Sequence, residues 1–342
     1  MQEILADVDN WLANALPVAV ATVIQTWGSA PRKAGAKMAL TPDGRLSGSV
    51  SGGCVEGAVA EIGLEVLATG RPRLVEFGVA DETAWAVGLA CGGSLQLFVE
   101  PLQPAVYATV REWLAQERAG VAATVIVGSA EIFGRTLLIH ADGQTTGALD
   151  PAFDPEVRQA ALAALRHGQS TVYTPKNAAD TRIFLEVHLP APHLILVGGV
   201  HIAIALAQIA QILGYRATVI DPRRAFGNQT RFPHVDRLIQ AWPDDAFQTV
   251  PLTTNTAVAL LTHDPKIDDP ALKIVLASPA FYVGALGSRR THAHRRQRLA
   301  RAGLTEALID RIHAPIGLDI HAQTPAEIAL AIMAEIVAAR RH

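Results

Sequence analysis

The sequence predicts an α/β protein with an N-terminal α+β domain built from an internal repeat, followed by a C-terminal Rossmann-like domain with a doubly wound parallel sheet. Three observations predict this arrangement. The chain has 342 residues, too many for one small core. A pattern that begins at Val18 recurs from Val121, and strands alternate with helices in the second half. We therefore expect domains at residues 1–188 and 190–342, with the stiff Leu-Pro-Ala-Pro sequence of residues 189–192 as the linker.

Composition and charge set the class of protein. Half of the residues are apolar, 18% are charged and the mean hydropathy is +0.24, which is typical of a globular chain and excludes a disordered or fibrous one. A formal net charge of −3, without a basic stripe, argues against nucleic acid or an anionic membrane as partner. No apolar run approaches the ~18 residues of a membrane helix, and the acidic N-terminus is unlike a secretory signal. Two cysteines make no disulfide framework, so we expect the reducing cytoplasm.

In the N-terminal domain, apolar periodicity and turn residues predict the elements in order. The expected helices are 2–16, 55–69, 105–117 and 155–167. The expected strands are 18–26, 36–41, one ending at Val50, 73–77, 95–100, 121–126 and 170–173. Pro17 should stop the first helix, Gly70 and Gly168 should end the second and the last, and Asp43-Gly44 should form a hairpin turn.

The two copies of the repeat differ in one informative turn. The second copy keeps the fold-forming glycines of the first at identical spacing, Gly134, Gly143 and Gly147 in place of Gly35, Gly44 and Gly48. It has Ala148-Leu149-Asp150-Pro151 where the first copy has a Gly-Gly-Cys turn. Residues present in only one copy are not required by the shared fold. They are therefore the better candidates for function.

That turn, Ser51-Gly52-Gly53-Cys54-Val55-Glu56, places a thiol at the start of a predicted helix. Helix N–H groups carry partial positive charge, so we expect the pKa of Cys54 to be lowered and an anion to be favoured there. The alternative is that Cys54 is a small buried hydrophobic residue, an interpretation that carries about even weight for the second cysteine, in Cys91-Gly92-Gly93. Because histidines are few in this domain, we expect no structural metal site.

Two further groups near this turn have alternative roles. Arg32 and Lys33 follow a Gly-Ser-Ala-Pro turn and either are solvated surface residues or frame a pocket for a phosphate-bearing ligand. Glu56 either is a helix-start carboxylate or positions a polar group of the ligand.

The C-terminal domain has the pattern of alternating strands and helices. The expected strands are 193–197, 217–220, 256–261 and 281–285, and the expected helices are 201–213, 269–276, 291–302 and 305–312. A last helix should begin at Thr324 as N-cap, with Pro325 at its first position and Glu327 completing a capping box.

An incomplete dinucleotide-binding motif follows the first of these strands. In Gly198-Gly199-Val200-His201-Ile202-Ala203 only Gly198 keeps its place in the G-x-G-x-x-G pattern, and Val200 blocks the approach of backbone to a pyrophosphate. We therefore expect nucleotide or NAD(P) binding to be weak or lost. His201 is either a phosphate contact or a plain helix-end residue, and Asp221 either binds ribose hydroxyls or forms a strand-end turn. The loop Gly287-Ser288-Arg289 lies where doubly wound folds place ligands.

Several long motifs, in order over nearly the whole chain, resemble the XdhC/CoxI family of accessory proteins for xanthine dehydrogenase and related molybdenum hydroxylases. The N-terminal motifs are Gly28-Ser29-Ala30-Pro31-Arg32, Gly48 to Glu56 and Cys91-Gly92-Gly93. The C-terminal motifs are Asp221-Pro222-Arg223, Arg231-Phe232-Pro233, Thr262-His263-Asp264, Gly284 to Arg289, His313 to Ile320 and Thr324 to Ala329. Two motifs depart from the family pattern, the turn at Gly198 and Leu318-Asp319-Ile320-His321.

The resemblance implies a carrier and chaperone and not a classical enzyme. Such proteins bind molybdenum cofactor (molybdopterin), protect it while a cysteine desulfurase installs its terminal sulfur, and help to insert it into the hydroxylase; they are commonly homodimers. The candidate cofactor-binding residues are Arg32, Lys33, Gly52, Gly53, Cys54, Glu56, Cys91, Gly92, Gly93, Gly198, His201, Asp221, Arg223, Gly287, Ser288 and Arg289. No catalytic residue and no metal ligand is predicted. Two other functions stay open: a nucleotide-dependent oxidoreductase or pterin-modifying transferase, and a scaffold that binds only the hydroxylase.

Overall fold

The structure is a computed structural model that describes residues 1–28, 32–78 and 93–341. The chain folds as two compact units, Met1–Pro190 and Ala191–His342. Within the described part of the chain, none of the helices combines the length and apolar character needed to cross a membrane.

The N-terminal unit contains two copies of one topology. The first copy has a short 3-10 helix Gln2–Ile4, helices α1 (Leu5–Ala13) and α2 (Glu56–Thr69), and strands β1 (Ala19–Trp27), β2 (Lys37–Leu40), β3 (Leu46–Gly48), β4 (Arg73–Phe77) and β5 (Ser94–Pro101). The second has helices α3 (Pro104–Ala115) and α4 (Asp154–His167), and strands β6 (Gly120–Val127), β7 (Thr136–His140), β8 (Thr145–Thr146), β9 (Thr171–Tyr173) and β10 (Arg182–His188). The antiparallel sheets run β3-β2-β1-β5-β4 and β8-β7-β6-β10-β9. Matching strand orders confirm the internal repeat.

Each sheet carries a helix, α2 or α4, on one face, and part of its other face packs against the other copy. Along β1, alternate side chains such as Ala21 and Val23 join the core beneath α2, because successive residues of a strand point to opposite faces. On the opposite face, Ile24 and Phe98 form one apolar cluster with Ile126 and Phe184, which stand at the same places in the second copy. The two copies thus meet through matched residues.

The C-terminal unit is a doubly wound parallel sheet with a core on each face, as predicted. Its strands are β11 (His193–Val197), β12 (Arg216–Ile220), β13 (Arg237–Ile239), β14 (Thr256–Leu260), β15 (Tyr282–Ala285) and β16 (Ile312–His313), in the order β13-β12-β11-β14-β15-β16. Its helices are α5 (His201–Ile212), α6 (Pro243–Ala246), α7 (Pro265–Leu276), α8 (Arg289–Arg301), α9 (Glu306–Ile309) and α10 (Pro325–Ala339). The strand order reverses between β11 and β14, so ligand loops are expected at the carboxyl ends of these strands.

The helix-start signals behave as the sequence predicts, with one difference. Thr324 and Glu327 form the capping box of α10, and Gly70 ends α2 in a left-handed conformation. Helix α7 begins at Pro265 and not near residue 269, because the Asp264 carboxylate accepts a hydrogen bond from the Lys266 amide and caps the helix earlier.

Six elements were not predicted: β7, β8, β10, β13, β16 and α6. Four of them are short, with two to four residues each, and β7 and β8 repeat β2 and β3 of the first copy. Strand β10 is longer and lies between β6 and β9, but Arg182, Glu186 and His188 interrupt its apolar pattern. Those polar residues prove to have a role of their own.

Candidate functional site

The Gly-Gly-Cys turn is held by the carboxylate of Glu56, the first residue of α2. It accepts hydrogen bonds from the backbone N–H groups of residues 50–53 at 2.9 to 3.2 Å. It also accepts from the Ser49 hydroxyl at 2.6 Å and from the Ser51 hydroxyl. Burial by itself would raise the pKa of Glu56, but the two serine hydroxyls and the backbone donors outweigh burial and lower that pKa to about 2.

The second copy repeats this anchor. Asp154, the first residue of α4, accepts from the N–H groups of Leu149 and Asp150 at 3.1 and 3.0 Å. A carboxylate that holds the preceding turn therefore belongs to the shared fold. By the same comparison that selects the Gly-Gly-Cys turn for function, Glu56 has a structural task, while Gly52, Gly53 and Cys54 are found in the first copy alone.

The turn presents a thiol beside a surface without side chains. The N–H groups of Cys54 and Val55 both donate to the Ser51 hydroxyl at 3.0 Å. Together with the Glu56 contacts, this gives every N–H from residue 50 to 55 an acceptor inside the turn. Gly52 and Gly53 are exposed, and Cys54 is half-buried against the core beneath α2. Because the backbone amides of the turn are already hydrogen-bonded, a ligand can contact only the Cys54 side chain and the exposed surface of the two glycines.

Arg32 and Lys33 lie apart from this hydrogen-bond network. The Arg32 guanidinium pairs with the Glu3 carboxylate, and Lys33 is exposed in the turn before β2. Among the hydrogen bonds and ion pairs of the described residues, none joins either cation to Cys54. Cys91 and Gly92 lie outside the described residues, and Gly93 is buried just before β5. The grouping of these residues with Cys54 stays a prediction.

In the C-terminal unit, Asp221 is fully engaged by its own chain. It lies just after β12, is completely buried, and accepts from the Gly199 amide at 2.8 Å. The Arg223 side chain donates to it through Nε at 2.9 Å and Nη2 at 2.8 Å, and the Arg223 amide adds a fourth bond. Burial raises the pKa of Asp221, but the Arg223 contacts outweigh it and the pKa is lowered. A ribose would have to displace Arg223 to reach this carboxylate.

The glycines after β11 are needed by the chain's own packing. A Cβ atom at Gly198 would lie 2.5 Å from Thr262 Cγ2, and one at Gly199 would lie 2.5 Å from the Phe226 carbonyl oxygen. The loop that follows β12 therefore closes against this turn. Its Arg223 guanidinium stacks over the Phe226 ring at 4.2 Å. Close approach by these loops accounts for the two glycines without a nucleotide.

The other C-terminal candidates stand at the carboxyl edge of the sheet. His201 is the exposed first residue of α5. Gly287 and Ser288 link β15 to α8, with the Ser288 hydroxyl accepting from the Thr291 amide as N-cap, and Arg289 is the exposed first residue of α8. These residues are near the reversal in strand order, where ligand loops were expected.

A buried polar cluster that was not predicted from the sequence lies between the two copies of the N-terminal unit. Lys37, the first residue of β2, donates to the Thr22 hydroxyl at 2.7 Å and to the Glu186 carboxylate at 3.0 Å. His188 Nε2 is 3.6 Å from a Glu186 carboxylate oxygen and has no hydrogen-bond partner within the described part of the chain. These groups line a cavity of about 40 Å³, enough for water. Burial would raise the pKa of Glu186, but Lys37 and His188 hold it well below its usual range.

Glu100 is the counterpart of Glu186 and lacks its cation. Glu100 lies opposite Val20 and Glu186 opposite Ala122, which are equivalent positions in the two copies. The place of Lys37 is taken in the second copy by Thr136. Glu100 lines the same cavity and accepts a hydrogen bond from Gln103 at 2.6 Å. Burial raises the pKa of Glu100 to about 7, because the Gln103 hydrogen bond and the charge of Lys37 offset burial only in part. An alignment of the two copies that paired Glu100 with Glu186 would have revealed this cluster from the sequence.

No cluster of three or more His, Cys, Asp or Glu side chains suited to a metal ion occurs among residues 1–28, 32–78 and 93–341. The described residues therefore provide one thiol, that of Cys54, beside exposed glycines, and several arginines at the carboxyl edge of the C-terminal sheet.

Comparison with known proteins identifies the family. A family model described as XdhC and CoxI matches residues 11–78, and a second, the XdhC Rossmann domain, matches residues 194–336. The chain belongs to the XdhC/CoxI family. The two matches fall in the two units seen in the structure and agree with the motifs found in the sequence.

Three known proteins are similar to this chain over most of its length. A protein from Bacillus subtilis (strain 168), described as a probable xanthine dehydrogenase subunit, is 28% identical, with 98% of this chain and 96% of the relative covered. The molybdenum cofactor insertion chaperone PaoD from Escherichia coli (strain K12) is also 28% identical, with 94% and 83% covered. A solved structure described as a xanthine dehydrogenase from Bacillus halodurans superposes with a TM-score of 0.80 over 98% of this chain and 95% of that one. At 24% identity, that likeness is evidence for the fold.

Proposed function

We propose that this chain is an accessory protein that holds molybdenum cofactor, protects it during sulfuration and delivers it to a molybdenum hydroxylase of the xanthine dehydrogenase type. The observation that carries the proposal is the similarity over nearly the whole chain to a relative named as a molybdenum cofactor insertion chaperone. In this proposal the cofactor is cargo and the chain performs no chemistry on it.

The Gly-Gly-Cys turn fits this role. A Cβ atom at Gly53 would meet no atom within 4 Å, so the surface beside Cys54 is open. A thiolate is a soft ligand. The rigid anchor at Glu56 fixes the backbone on which the thiol is presented, which supports Cys54 as the group that faces the metal end of the cofactor. Arg32 and Lys33 are proposed to face its anionic groups, with Cys91 as a second thiol.

Cys54→Ser tests this assignment. Wild type and variant are produced with the cofactor pathway active, and the pterin released on denaturation is quantified together with molybdenum. We expect the variant to retain a small fraction of the wild-type pterin. Ala152→Ser is the matched control, because Ala152 precedes Asp154 by two positions as Cys54 precedes Glu56. Equal pterin in Cys54→Ser and wild type would remove Cys54 from the site.

The client and assembly state belong to the same proposal. A molybdenum hydroxylase subunit and a cysteine desulfurase are the proposed partners, in the cytoplasm, with a homodimer as the working form. Co-purification with each partner, with and without bound pterin, separates cofactor delivery from a scaffold that binds the hydroxylase alone. Light scattering on the purified chain measures its oligomeric state.

A nucleotide-dependent oxidoreductase or pterin-modifying transferase is the weaker alternative. The saturated Asp221 carboxylate and the closed packing around Gly199 both argue against dinucleotide binding in the usual place. Calorimetry with NAD(P)H and with nucleoside triphosphates is expected to give no binding tighter than that of pyrophosphate, because this turn adds no contact to the nucleoside. Tight NAD(P)H binding would favour the enzyme.

A further inference from the structure

The loop between β15 and α8 ends in backbone donors that have no acceptor. Ser288 caps the helix by accepting from Thr291 at 3.2 Å. The next two backbone N–H groups, of Arg289 and Arg290, have no acceptor among the described residues. Both belong to the first turn of a 13-residue helix, the end that carries partial positive charge.

The arginines of α8 differ in how they are paired. Arg296 pairs with Glu306 and Asp310, and Arg298 pairs with Asp269. Arg289 and Arg290 are exposed and form no ion pair with any described residue. Two unpaired arginines thus stand next to the unpaired backbone donors, whereas a single exposed arginine, Arg301, stands at the other end of the helix.

A buried arginine lies directly beneath this loop. Arg295 is 1% exposed, and its Nη2 donates to the Leu286 carbonyl at 2.8 Å. The same atom is 3.8 Å from the position of a Cβ on Gly287, which places the guanidinium against the loop. Its nearest acid is Asp268, at 3.7 Å. Among the described residues, its Nε and Nη1 have no hydrogen-bond partner, and neither has Nδ1 of His292, one helical turn earlier. Buried donors left unpaired are costly unless an acceptor is bound.

We propose that the Gly287–Arg290 loop, with Arg295 beneath it, binds a phosphate-type oxyanion. The donors are the backbone N–H groups of residues 289 and 290 and the guanidinium groups of Arg289, Arg290 and Arg295. A helix N-terminus combined with guanidinium forks suits a phosphoryl group, whose several oxygens accept from several directions. The assignment of that group to the phosphate end of the cargo rests on the proposed function, whereas the oxyanion chemistry of the site does not.

Titration with pyrophosphate tests the site in the full-length protein. Calorimetry compares wild type with Arg290→Ala and with Arg301→Ala, an exposed arginine at the other end of the same helix that changes the net charge equally. We expect Arg290→Ala to weaken pyrophosphate binding about tenfold, the effect of one charged hydrogen bond, and Arg301→Ala to leave it within about twofold. In arginine-labelled protein, the backbone amide signals of residues 289 and 290 should shift on titration.

Each outcome bears on one proposal. Equal weakening by both substitutions, no binding to wild type, or amide shifts elsewhere would each overturn the oxyanion site. If pyrophosphate binding depends on Arg290 but the purified protein never contains pterin, the oxyanion site is supported and the cofactor is excluded as its natural ligand. Free phosphate or a nucleotide is then the natural ligand. The same conclusion follows if wild type and Arg290→Ala co-purify with equal amounts of pterin while pyrophosphate binding depends on Arg290.

Discussion

The two equivalent glutamates of the N-terminal unit predict a pH dependence that one substitution can remove. Glu186 has Lys37 as counter-ion, whereas Glu100 has Thr136 at the corresponding place and a pKa raised from 4.5 to about 7. A carboxyl whose pKa is raised on folding binds its proton more tightly in the native state. The free energy of unfolding therefore falls as pH rises from about 4.5 to about 7, and is constant above that.

The size of the effect follows from the pKa of Glu100. A rise from 4.5 to about 7 corresponds to about 3 kcal/mol, since one pKa unit is worth about 1.4 kcal/mol. Water in the adjoining cavity reduces this figure, so it is an upper bound. Glu100→Gln keeps the shape of the side chain and removes the ionisation. We expect the stability of the variant relative to wild type to be up to about 2.5 kcal/mol greater at pH 8 than at pH 5, because part of the change already occurs below pH 5.

Urea unfolding followed by tryptophan fluorescence measures this difference. A Trp242→Phe background removes the one tryptophan of the C-terminal unit, so that the signal reports on the N-terminal unit. Glu61→Gln, at an exposed site on α2, is the control for the same chemical change. Thr136→Lys should give Glu100 a cation and also flatten the pH dependence. Parallel pH profiles for wild type and Glu100→Gln would refute the reasoning.

Two other substitutions test the networks around the predicted sites. Glu56→Gln removes the charged acceptor of the Gly-Gly-Cys turn, so we expect faster amide exchange and faster proteolysis in that turn, with the remaining helices of the unit unaffected; an unchanged exchange rate would contradict the anchor. Arg223→Ala leaves Asp221 buried without its cation and should lower the free energy of unfolding by about 3 kcal/mol, measured by thermal or urea unfolding; a loss below about 0.5 kcal/mol, the size typical of a surface change, would show that the pair is dispensable.

Much of the architecture could be predicted because it depends on local sequence patterns. The repeat is visible in the spacing of its glycines, and the capping box at Thr324 gives the start of the last helix. Strand β10 was not predicted because its polar residues face the first copy, and their partners are distant in the sequence. Lys37 and Glu186 are 149 positions apart, and only the folded sheets bring them together.

At the Gly-Gly-Cys turn the sequence predicted the helix start, but it could not assign a role to every residue. Gly52, Gly53 and Cys54 were selected from the sequence as the part of the turn that the second copy lacks. Whether Glu56 served the ligand or the turn could not be decided, because its donors are mostly backbone N–H groups that no residue pattern reveals. For Asp221 a local signal existed, since an arginine two residues later lies within reach of its carboxylate.

The matched cluster of Ile24 and Phe98 with Ile126 and Phe184 gives the N-terminal unit the geometry of a two-fold dimer whose halves are joined in one chain. In a dimer of identical chains, any substitution appears twice. Here a single copy can change while its twin preserves the architecture. A lysine in one copy where the other has threonine, and a Gly-Gly-Cys turn that occurs in one copy alone, are differences of the kind that covalent fusion makes available.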